Sequence, residues 1–315
     1  MIENTSIKRV AVVGTGVIGA SWIAYFLAQG LDVSATDPMP GAEQRLHAAL
    51  EHHWPSMEAL GLKPGASLAR LRFSEDLTEA LYEVDFVQEN GPEREDLKVA
   101  LFRTMDAVLP AHVILASSSS GLLMSKVQAA CRHPQRVVLG HPFNPPHLIP
   151  LVEVIGGEQT SAEVVQRAMD FYSAIGKKPI HPLKEVKGHI ANRLQAALWR
   201  EAFHLVEQGV ATTADIDTAI AYGPGLRWAL MGPFLNLHLS GGTGGIAHML
   251  DHLGAPIESW WADLGEPSIT PALKQQICAG VDAQMIEKTS IALAAERDQL
   301  LLGLIAAKAQ TSVIP

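Results

Sequence analysis

Only two cysteines occur in 315 residues, Cys131 and Cys278, and no CxxC spacing joins them. A disulfide-stapled module is excluded, and both thiols read as reduced residues of a cytoplasmic protein. Charge is scarce as well. Charged residues make up 18% of the chain against 48% hydrophobic, too apolar for a disordered protein. Basic side chains are outnumbered, 24 Lys and Arg against 33 Asp and Glu, for a formal charge of -9. That balance repels phosphate backbones and anionic lipid at long range, so small molecules are the expected partners and nucleic acid and membrane are not. Between Arg9 and Asp32 no charge appears, yet Gly14, Gly16, Gly19 and Gly30 interrupt the apolar stretch and no Ala-x-Ala cleavage pattern follows. Export and membrane anchoring are therefore not expected. His248 and His252 form an i, i+4 pair without HExxH or a third ligand, so no metal is expected.

What is present is length enough for two domains, each with its own core. From Lys8 to about Leu183, short β-branched runs alternate with helical patterns. The runs are Val10–Val13, Val33–Thr36, Phe86–Gln88, Val113–Ala116, Val137–Leu139, Leu151–Ile155 and Pro179–Pro182. Alternation of this kind predicts an α/β, Rossmann-like, doubly wound and mostly parallel sheet over residues 1–186. Beyond Gly188 such runs vanish, and an all-helical C-terminal domain is expected over 187–315. Its helices are placed at 189–208, from Thr213, near 232–253 and over 271–309, with a Pro- and Trp-containing loop across 255–267.

The segment Val10-Ala-Val-Val-Gly14-Thr-Gly16-Val17-Ile18-Gly19 reads as a buried strand entering GxGxxG and then a helix. Gly14 permits the tight turn, Gly16 lets the backbone approach a pyrophosphate, and Gly19 lets the helix pack on the strand. Phosphate then meets free N–H groups at a helix N-terminus. Asp37 closes the second run, where an acid accepts hydrogen bonds from a ribose diol and repels a 2′-phosphate, so the expected cofactor is NAD rather than NADP.

Alcohol oxidation by NAD needs a proton acceptor, because hydride loss from carbon is matched by proton loss from the hydroxyl. Among thirteen histidines, His141 directly follows an apolar strand and enters the loop Gly140-His-Pro-Phe-Asn-Pro-Pro146. Ligands of open α/β sheets bind outside the carboxyl ends of strands, where this residue falls. Glu153, flanked by Val152 and Val154 in the next strand, needs a partner if buried, and the imidazole is the obvious one.

GTGVIG (14–19), ASSSSGL (116–122), GHPFNP (140–145), LVEV (151–154) and GHIANRL (188–194) together resemble the 3-hydroxyacyl-CoA dehydrogenase superfamily. The resemblance implies that His141 is the general base, that Glu153 orients it, and that Ser120 and Asn192 bind the reacting oxygen. It also assigns Val17, Ile18, Glu93 and Lys98 to the coenzyme. Acyl-CoA members usually carry SNTSS, whereas Ser118 and Gly121 stand here, and the segment Gly225-Leu-Arg-Trp-Ala-Leu-Met-Gly-Pro233 is similar to the free-hydroxyacid branch, which includes L-carnitine and L-gulonate dehydrogenases. The implied reaction is oxidation of the 3-hydroxyl of a small acid, L-carnitine foremost, with L-gulonate or a short 3-hydroxyacyl-CoA as alternatives. A non-catalytic NAD-binding protein is the alternative from another class. A trimethylammonium group suits aromatic faces, for which Trp199 and Trp228 are candidates beside a core or interface role, and Arg227 suits a carboxylate. The resemblance further implies a homodimer formed through the helical half.

Overall fold

A computed structural model describes residues 7–311. The chain divides into two compact units, the first ending at Arg193 and the second beginning at Leu194. Residues 187–193 thus pack with the first unit, several residues past the boundary drawn from the sequence.

The first unit is a sheet of eight strands: β1 (Arg9–Val13), β2 (Asp32–Thr36), β3 (Leu71–Phe73), β4 (Phe86–Glu89), β5 (Ile114–Ser117), β6 (Val137–Pro142), β7 (Leu151–Gly156) and β8 (Lys178–Ile180). Across the sheet they lie in the order β3, β2, β1, β4, β5, β6, β7, β8. Neighbours pair in parallel except β6 with β7. Between them run α1 (Val17–Ala28), α2 (Ala42–Leu60), α3 (Leu77–Ala80), α4 (Glu95–Val108), α5 (Met124–Gln128) and α6 (Ala162–Ala174). The expected doubly wound sheet is what forms. Its strand order reverses between β1 and β4, which opens a crevice at their carboxyl ends.

The uncharged stretch after Arg9 becomes β1 and α1. Val10, Ala11 and Val12 are fully buried, and so are Trp22, Ile23, Phe26 and Leu27. Burying each large side chain contributes roughly 1.5–3 kcal/mol, which explains a helix apolar all round. No helix of the described residues is long and apolar enough to cross a membrane. β3 carries no apolar run in the sequence because it is three residues long, at the sheet edge and only half buried.

The second unit is helical: the remainder of α7 (Ala191–Glu207), then α8 (Thr213–Tyr222), α9 (Pro224–Leu230), α10 (Pro233–Ser240), α11 (Gly245–Asp263), α12 (Pro271–Gln284) and α13 (Ser290–Ala309). Two expectations need correction. The loop placed at 255–267 is mostly helix, since α11 continues to Asp263 with Pro256 inside it. A proline has helical φ and removes only its own N–H, so one rung is lost while the helix goes on. The single helices placed at 232–253 and 271–309 are each two. Gly242 and Gly245, both at positive φ, separate α10 from α11, and Thr289 starts α13 by accepting the Ala292 N–H.

Candidate active site

At the mouth of the sheet the glycines meet distinct surroundings. Gly14 has φ +89, and a Cβ there would lie 2.8 Å from the Asn90 carbonyl oxygen. A Cβ on Gly19 would sit 1.9 Å from the Gly14 oxygen, so that glycine is required for helix–turn packing. On Gly16 a Cβ would meet nothing within 4 Å, which makes this the open approach to the N-terminus of α1. Gly16 caps that helix without a side-chain bond, so its first N–H groups face the approach. Val17 beside it is exposed and Ile18 half-buried.

Asp37 follows β2, and its Oδ2 accepts the Thr15 N–H at 2.8 Å while Oδ1 accepts the Met39 N–H at 3.0 Å. A carboxylate has about four acceptor sites, so Oδ1 keeps one for a ribose hydroxyl. Open Gly16, the uncapped helix and Asp37 together fit a dinucleotide.

His141 is the penultimate residue of β6, and Glu153 lies directly opposite it on β7. Opposed residues of an antiparallel pair project on the same face. His141 Nδ1 is 2.8 Å from Glu153 Oε2, with both residues buried. The other carboxylate oxygen accepts the N–H groups of Ile190 at 2.8 Å and Ala191 at 3.1 Å. Burial opposes ionisation of Glu153, but the His141 hydrogen bond and the two backbone donors outweigh it and hold the carboxyl below its usual range. An ionised carboxylate accepts, so His141 donates from Nδ1, and in the neutral ring the lone pair is then on Nε2. No hydrogen bond engages Nε2 among the described residues.

Gly140 precedes this histidine because a Cβ there would fall 2.1 Å from the Tyr172 hydroxyl oxygen. That hydroxyl donates to Gln88 Oε1, and Gln88 Nε2 donates to Ser118 Oγ at 2.7 Å and to the Gly140 carbonyl at 3.1 Å. Sequence reasoning missed this network. A glutamine inside the apolar strand β4 was its signal.

The serine segment after β5 folds over the same end. Ser119 Oγ and the Gly121 N–H both donate to Glu93 Oε1, at 2.6 and 2.8 Å. Ser120 is exposed, and its carbonyl accepts Asn192 Nδ2 at 3.2 Å. One amide hydrogen of Asn192 therefore holds the Ser120 backbone and the second stays available. Lys98 is buried and donates to both Glu89 oxygens, at 2.7 and 2.9 Å, and to the Gly91 carbonyl at 3.0 Å. With all three ammonium donors engaged, it has none for a coenzyme. Trp199, Arg227 and Trp228 are exposed residues of the second unit, on α7 and α9.

The pattern described as "3-hydroxyacyl-CoA dehydrogenase, NAD binding domain" matches residues 9–186, and its "C-terminal domain" counterpart matches residues 188–267. An L-carnitine dehydrogenase of Bacillus cereus is 50% identical over 302 residues, covering 96% of this chain and 93% of that protein. Another, of Pseudomonas aeruginosa, is 47% identical over 307 residues, covering 98% and 96%. Among solved structures, a 5-formyl-3-hydroxy-2-methylpyridine 4-carboxylic acid 5-dehydrogenase, described as an NAD+-dependent dismutase, matches with TM-score 0.85 and 32% identity, covering 97% of this chain and all of that one. With a glycine turn that fits a dinucleotide and matches spanning both units, this chain belongs to the 3-hydroxyacyl-CoA dehydrogenase family and is an NAD-dependent oxidoreductase acting on a CH–OH group.

Proposed function

We propose that the chain oxidises the 3-hydroxyl of L-carnitine to give 3-dehydrocarnitine. The observation that carries the chemistry is the buried His141–Glu153 pair, which fixes the ring tautomer and leaves Nε2 free. NAD supplies the hydride acceptor when bound. His141 Nε2 takes the hydroxyl proton, Glu153 stabilises the imidazolium that results, and Ser120 and Asn192 orient the reacting oxygen. Gly14, Gly16, Val17, Ile18, Gly19 and Asp37 hold the adenosine diphosphate half of the coenzyme. Glu93 faces the nicotinamide end, and Lys98 acts on it indirectly by fixing Gly91.

The substrate assignment is supported by relatives named for L-carnitine over nearly the whole chain. Trp199 and Trp228 supply aromatic faces for a trimethylammonium group, which donates no hydrogen bonds, and Arg227 pairs with the carboxylate. Unit two leaves Phe234, Trp260, Trp261 and Ile291 more than half exposed, which supports a homodimer joined through its helices. Two free thiols support a cytoplasmic location.

Initial rates with NAD on L-carnitine, L-gulonate and 3-hydroxybutyryl-CoA test the reading. L-Carnitine is expected to give the highest kcat/KM. Preference for either rival replaces the substrate, and NADH binding with no turnover of any of the three removes the enzymatic reading of the site.

A further inference from the structure

A second imidazole lies beside the base. His189 is 2% exposed, and its ring centroid is 5.3 Å from that of His141. Its backbone stands at φ +51, a conformation costly for a bulky side chain, so its surroundings must hold it there. Two contacts do so. The backbone N–H donates to the Val186 carbonyl at 3.0 Å, and ring Nε2 is 3.2 Å from the Ser119 carbonyl. A carbonyl only accepts, so Nε2 carries the proton and Nδ1 does not. Nδ1 is buried and has no hydrogen-bond partner among the described residues.

The position joins three parts of the site. Ile190 and Ala191, the next two residues, give their N–H groups to Glu153. Ser119, whose carbonyl His189 holds, precedes Ser120 and bonds Glu93 through its hydroxyl. Burial and the neighbouring His141 keep His189 from taking a second proton, against weaker support for the charged form from Ser119, Glu153 and Glu93.

We propose that His189 is a positioning residue: its Nε2–H fixes the Ser119 carbonyl and thereby sets Ser120 against the free nitrogen of His141. The proposal rests on His141 being the base. Leaving a buried nitrogen unpaired costs about 1–3 kcal/mol, so a purely structural position has no reason to keep imidazole over phenylalanine, whose ring needs no partner. A donor at this point is what the ring adds.

Three variants test it in the full-length enzyme. His189→Gln keeps an amide donor near the position of Nε2, His189→Phe keeps ring bulk with no donor, and His189→Asn tolerates the left-handed backbone but is too short to reach Ser119. Misplacement of reacting groups by about 1 Å costs on the order of 10²-fold, so Phe and Asn should each lower kcat by at least roughly tenfold. The NADH Kd, from fluorescence titration, should stay within about twofold, and Gln should recover turnover to within about threefold of the parent. Asn keeps the test decisive if the Phe protein does not fold. Unchanged kcat in the donor-less variants, or a Gln variant as impaired as Asn, overturns the proposal. His141→Ala separates the layers: turnover surviving that change defeats the base itself, whereas its loss beside an unaffected His189→Asn defeats only the positioning role.

Discussion

His141 and Glu153 sit opposite each other across an antiparallel ladder, 2.8 Å apart from Nδ1 to Oε2, with their strands supplying the alignment. The carboxylate carries two duties: it orients the ring, and it anchors the start of α7 through Ile190 and Ala191.

Glu153→Gln should separate them. An amide still accepts a backbone N–H, but it offers no charge to an imidazolium, so kcat should fall by about 10²- to 10⁴-fold with NADH affinity preserved. Because the folded carboxyl lies below its usual 4.5, ionised Glu153 contributes stability above that pH, and the contribution is lost as pH falls through the folded value. Urea unfolding measured across that acidic window should be less steeply pH-dependent in the glutamine variant than in the parent. Equal slopes would show that the pair does not contribute.

A second carboxylate is structural. Asp106 Oδ1 accepts from Arg136 Nε at 3.0 Å and Nη2 at 2.7 Å, with both side chains buried. Burial disfavours the charged form of Asp106, yet Arg136 and the Arg132 and His133 N–H groups keep its pKa lowered. Arg136 immediately precedes β6, at the amino end of the strand, while His141 lies near its carboxyl end. Arg136→Met should cost about 3–5 kcal/mol by stranding the carboxylate, seen as a Tm roughly 10 °C lower, with kcat retained at low temperature.

The glycines should fail in different ways. Gly19→Ala forces a methyl onto the Gly14 carbonyl and should destabilise the fold. Gly16→Val places its branch in open space, so the protein should fold with Tm close to the parent while the NADH Kd rises by at least about tenfold. Normal coenzyme affinity in that variant would move the phosphate elsewhere.

The ammonium site can be probed through KM. A cation–π contact is worth about 0.5–2 kcal/mol, so Trp199→Leu or Trp228→Leu should raise KM for L-carnitine roughly 2- to 30-fold if either ring faces the headgroup. Neither should change the NADH Kd. If both variants keep the parental KM, these exposed tryptophans serve an interface rather than the headgroup.

Much of the first unit was legible because β-branched runs and the glycine spacing state strand, turn and helix locally. The His141–Glu153 pairing was legible too, since a lone acid inside an apolar strand calls for a partner. Other features were not. Helix α7 starts at Ala191 rather than at 189 because His189 takes a left-handed backbone and Glu153 takes the next N–H groups, a tertiary bond with no local sign. Lys98 resembled a coenzyme ligand by motif, while its geometry commits it to Glu89, an acid nine residues upstream. The interior Pro256 suggested a break where the remaining turns of α11 suffice to continue.

Register, rather than loop shape, matches the acid to the base. The connection across 143–150 supplies neither member of the pair, whereas deleting one residue between Leu151 and Glu153 would swing the carboxylate to the far side of the sheet. A change of length in either of these two strands therefore reaches the proton acceptor directly, however far from it along the chain the change is made.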